Sequence, residues 1–80
     1  MAPVEKAIRD AQKKYSPSQL VEIDSTIRQL ATEHYKYKHL PLCIGKTRGI
    51  VNVLKCFYSV DVGFYYVWDV LETFHNEPKE

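Results

Sequence analysis

Eighty residues with eleven lysines and arginines against ten acids, a formal net charge of +1, exclude any strong overall field for nucleic acid or an anionic membrane. A single domain of this length rarely draws more than ~3–5 kcal/mol from its core, so a staple or a partner subunit is expected to complete it. The two cysteines, Cys43 and Cys56, follow no disulfide spacing and no signal-peptide pattern precedes them, which points to free thiols in a reducing, cytoplasmic compartment. Oligomerisation is therefore the expected supplement to the core.

Residues 3–15 read as a first helix, with Pro3 at an acceptable first position and Val4, Ala7, Ile8, Ala11 and Tyr15 at helical spacing. Lys13 and Lys14 stand in its last turn, where cations favour the negative end of the helix dipole. Ser16-Pro17-Ser18-Gln19 is a capping box that opens a second helix over 17–35, with Leu20, Ile23, Ile27, Leu30 and His34 on one stripe. Tyr35, Tyr37 and Pro41 close it. Lys36, Lys38, His39, Lys46 and Arg48 make the middle of the chain locally basic, as a solvated loop or as a rim for an acidic ligand.

From Gly45 to Phe74 the chain is dense in valine, isoleucine and aromatics and holds all three glycines, Gly45, Gly49 and Gly63. β-branched and aromatic residues suit a pleated surface, and isolated glycines mark turns or bulges. The expectation is an α+β fold, two helices on a four- to five-stranded antiparallel sheet, with strands near 40–46, 49–55, 56–62 and 64–74. Cys56, Tyr58, Val60 and Val62 alternate with Phe57, Ser59 and Asp61 at the strand period. A rival reading makes the last segment helical, because Phe64, Trp68 and Leu71 also fall at helical intervals.

Chemistry-bearing patterns are few. Gly45-Lys46-Thr47 matches the end of a phosphate-binding loop, but Leu40 occupies the position of its first glycine. His34, His39 and His75 are scattered and begin no zinc site. No nucleophile–base pair or carboxylate pair stands at usable spacing, so neither an enzyme nor a cofactor is expected. No apolar stretch reaches the ~20 residues that span a bilayer.

Several spacings together resemble the small dimeric dynein light chain family: Lys14-Tyr15 at the end of the first helix, Ile27 eight residues before Tyr35, Gly45-x-x-x-Gly49, and Lys55 eight residues before Gly63. The resemblance implies a cytoskeleton-associated, non-catalytic protein-binding module of the microtubule motor complex. It further implies a strand-exchanged homodimer that takes extended peptides of partner proteins by β-augmentation, main-chain bonds supplying affinity. The residues expected to pair are Gly49, Ile50, Val51, Asn52 and Val53, with Phe57, Ser59, Asp61, Tyr66 and Trp68 on the adjacent face. Leu20 and Val21 stand where the family grips a peptide glutamine, and Ser59 and Asp61 where it has tyrosines. Domains of this family also occur behind EF-hands in flatworm tegumental calcium-binding proteins. The alternative implied is thus a dimerisation or regulatory domain of a larger calcium-binding protein, although this chain has no Asp-x-Asp-x-Asp-Gly loop.

Overall fold

The computed structural model describes residues 2–36 and 41–77, and these hold four α-helices and no strand: α1 Pro3–Lys14, α2 Pro17–His34, α3 Ile44–Tyr58 and α4 Phe64–Asn76. The α+β expectation is therefore corrected, and the strand-exchanged sheet goes with it. Tyr37, Lys38, His39, Leu40 and the tail beyond Glu77 lie outside the described residues.

The first half of the chain folds as its local signals direct. Pro3 opens α1 without a side-chain cap, and the Tyr15 N–H donates to the Ala11 carbonyl to end it. Ser16 caps α2 reciprocally: its Oγ accepts from the Gln19 N–H at 3.2 Å, and its own N–H donates to Gln19 Oε1 at 2.8 Å. Two of the orphan donors at that helix end are satisfied in this way.

The second half overrides its β propensity. Valine, isoleucine and aromatics cost a helix only a few tenths of a kcal/mol each relative to better helix formers. Burying one large apolar side chain returns ~1.5–3 kcal/mol. The buried residues of α3 are Thr47, Ile50 and Leu54, and those of α4 are Tyr66, Val67, Val70, Leu71 and Phe74. Both sets step at helical intervals. The alternation from Cys56 to Val62 straddles a helix end: Cys56 and Tyr58 are exposed on α3, whereas Val62 turns inward from the following loop.

Local contacts fix the boundaries. The Thr47 hydroxyl donates to the Cys43 carbonyl at 2.8 Å, and the Lys46 N–H approaches Cys43 Sγ at 3.4 Å. Gly45-Lys46-Thr47 is thus the first turn of α3, built on Cys43. At the other end Ser59 takes a left-handed conformation, and the Val60 N–H reaches back to the Leu54 carbonyl at 3.0 Å, which closes the helix. Gly63 precedes α4 at φ 79°, a conformation that L side chains rarely adopt.

α4 packs against α1, α2 and α3, while α1 and α3 do not pack on each other. Ile27, Ala31, Ile50, Val67 and Leu71 are completely buried around it. The loop before α4 is tied to α1: the Asp61 N–H donates to the Tyr15 hydroxyl at 3.0 Å, and Lys14 Nζ donates to the Asp61 carbonyl at 3.3 Å.

Candidate functional site

α3 presents large apolar side chains to solvent on both sides of its buried stripe. Toward α4, Ile44, Arg48, Val51 and Asn52 join Phe64 and Tyr65 around a hollow of about 450 Å³. Phe64 stacks on Trp68 at 5.7 Å and meets the Tyr65 ring edge-on at 5.4 Å, so this wall is a continuous aromatic surface. Ile44 and Tyr65 nevertheless keep about half of their surface exposed, 55 % and 48 %.

Toward α2, a second hollow of about 490 Å³ is lined by Leu30, His34, Tyr35, Val53, Phe57 and Tyr58. Phe57 projects beside it at 80 % exposure, the most exposed large apolar side chain among the described residues. Tyr35 closes the upper edge by lying across α3. A Cβ on Gly49 would stand 2.5 Å from the Tyr35 hydroxyl, so glycine there admits the ring. Lys46 Nζ donates to the Tyr35 carbonyl at 3.3 Å and fastens the same corner.

The expected site residues are distributed by the helix rather than gathered on a strand. Gly49, Ile50, Val51, Asn52 and Val53 are consecutive on α3 and therefore point around its whole circumference. Their backbone groups lie inside the helix, so the expected main-chain pairing with a peptide is corrected. Ile50 is core, Val51 and Asn52 border the α4-side hollow, and Val53 borders the α2-side hollow with Phe57. Ser59 is the C-cap of α3. Asp61 lies in the loop after it, its carboxylate 3.9 Å from Lys55 Nζ. Trp68 is half-buried, and its Nε1–H donates to Glu72 Oε2 at 3.1 Å.

Tyr66 points inward. Its hydroxyl donates to Asp24 Oδ1 at 2.6 Å, joining α4 to α2. Burial, then the bond to Asp24 and the negative charges of Asp24 and Asp69, push its phenol well above the ordinary tyrosine value. That displacement belongs to a packed helix contact and leaves the hydroxyl protonated.

Ile44, Phe64 and Tyr65, and on the other side Leu30, His34, Tyr35 and Tyr58, are the lining residues that sequence reasoning missed, while Arg48 was expected only as a solvated charge or a rim for an acidic ligand. The signal was the helical step from Ile44 to Arg48 to Val51, which the strand assignment concealed, and the step from Phe64 to Trp68, which the rival helical reading contains. Cys43 is half-buried at the start of α3, Cys56 is exposed near its end, and among the described residues no three His, Cys, Asp or Glu side chains gather as a metal site. No described helix is long and apolar enough to cross a membrane. No family model matches this chain, and no curated protein or solved structure is significantly similar to it.

Proposed function

We propose that this chain is a non-catalytic protein-interaction domain that receives apolar side chains of another polypeptide along the flanks of α3. The observation that supports it most directly is the pair of hollows with half-exposed or fully projecting apolar residues, Ile44 and Tyr65 on one side and Phe57 on the other. Scattered single apolar residues are ordinary on a surface, but aromatic groups clustered beside a concave wall are the composition of an interface. The mode is side-chain packing on a helix, with anchors entering grooves between α3 and its neighbours. This replaces β-augmentation, which needs an open strand edge.

Site-specific photocrosslinking tests the proposal. A photoreactive phenylalanine analogue at position 44 or 57 is expected to form adducts with other polypeptides in cells, and the same group at the exposed position Gln12 of α1 is not. Equal yield from all three positions, or no adduct from 44 and 57, would reject the assignment.

A further inference from the structure

The two hollows differ in their charges. α3 carries Lys46, Arg48 and Lys55 and no acid, whereas α4 carries Asp69 and Glu72 and neither lysine nor arginine. Two of the three cations are already engaged within the chain, Lys46 with the Tyr35 carbonyl and Lys55 with Asp61. Arg48 is exposed at the rim of the α4-side hollow and makes no hydrogen bond or ion pair among the described residues. On the opposing helix, Trp68 Nε1–H holds the exposed Glu72 carboxylate. That carboxylate retains further lone pairs to accept from a guanidinium.

We infer that the α3/α4 face seats a second copy of this chain, with α3 of one copy lying across α4 of the other. This rests on the interaction function proposed above and names its partner. A two-fold arrangement uses the same patch twice, so Arg48 on α3 meets the other copy's Glu72, which shares the α4 stripe of Phe64 and Trp68, and the reciprocal pair forms as well. The apolar centre, Ile44, Val51, Phe64 and Tyr65, is covered in the same contact. A standard interface takes about 800 Å² from each partner, which is roughly one seventh of the 5444 Å² exposed by one copy. Two helical faces can supply such a patch. The α2-side hollow has no lysine, arginine or acid in its lining, which is apolar and aromatic apart from His34. It stays open for a different chain.

Sedimentation equilibrium of the purified 80-residue chain and of two charge reversals tests the pairing. The wild type is expected to dimerise in the micromolar range. Arg48→Glu and Glu72→Arg are each expected to weaken the dimer by roughly tenfold or more, because each homodimer then sets like charges against each other twice. Both positions are exposed, and unchanged helical circular dichroism verifies the fold of each variant. Mixed in equal amounts, the two variants are expected to pair with one another more tightly than either pairs with itself. A wild type that stays monomeric at every concentration overturns the inference, as does a mixture no better associated than its components. Crosslinks from position 44 or 57 to other polypeptides alongside a monomeric wild type would reject the second copy while leaving the interaction function standing. Loss of those crosslinks would reject both.

Discussion

α3 and α4 are built from nearly the same materials and have opposite fates. Both are rich in valine and aromatics, yet α4 buries five residues and touches every other helix, whereas α3 buries three and leaves Ile44, Phe57 and Tyr58 at least half exposed. Composition does not decide between core and surface; spacing and neighbours do. On α4 the apolar residues fall at i, i+1, i+4, i+5 and i+8, a stripe wide enough for three partners. On α3 the stripe is narrower, and the surplus apolar groups flank it.

The sharpest way to break this contrast is to empty the hub. Leu71 is completely buried on α4, and Leu71→Ala is expected to cost ~2–5 kcal/mol in denaturant unfolding. In a domain of this size that approaches the whole stability, so loss of a cooperative transition is the expected result. An unfolding midpoint close to wild type would contradict the role assigned to α4.

Tyr66→Phe removes the bond from α4 to Asp24 and is expected to cost ~1–3 kcal/mol. It also changes the response to alkali. The phenol keeps its proton to higher pH in the folded chain than in the unfolded one, so the unfolded chain loses the proton first. The stabilisation is thus complete below the ordinary phenol value of about 10 and fades as pH rises through the folded value. Stability measured through the alkaline range should fall less steeply in the variant; parallel profiles would show that Tyr66 does not report this linkage.

A subtler experiment concerns the corner where Tyr35 crosses α3. Gly49→Ala improves helix propensity but drives a methyl group against the Tyr35 hydroxyl. The same change is expected to be more favourable in a Tyr35→Phe background, by ~0.5–3 kcal/mol of coupling. Additive effects in the double-mutant cycle would mean that the ring does not depend on Gly49.

Phe57→Ser should do almost nothing to stability, within about 0.5 kcal/mol, because the ring projects into solvent. Its expected effect is on association, read as lost crosslinking from the neighbouring position 53. A large drop in thermal stability would instead place Phe57 in the core and erase the contrast between the two helices.

The half of the fold that was legible from sequence carried its own punctuation. Pro3, the Ser16–Gln19 capping box and the stripe from Ile23 to Leu30 act within one helix, and no distant contact is needed to interpret them. Gly63 was legible as a turn for the same reason, since its positive φ is a local demand. The second half depends on tertiary burial. Val51, Val53, Val67 and Val70 favour strands in isolation, and only their packing in or against the shared core makes the helix the better solution. The candidate site was illegible for a related reason. Asn52 was expected to pair along one strand and Phe57 to line the adjacent face from the next, but on one helix they separate, Asn52 toward α4 and Phe57 toward α2. Arg48 was read as one charge in a basic stretch, solvated or rimming an acidic ligand, and its position against the aromatic wall of α4 required the fold.

The central position of α4 also sets an order of events during synthesis. Of the four helices it is the last to be translated, and the other three meet chiefly through it. A nascent chain that has emerged only as far as Tyr58 exposes Ile27, Ile50 and Leu54 without the surface that covers them. Cooperative packing of these residues waits until α4 clears the ribosome, and until then their apolar surface is open to aggregation.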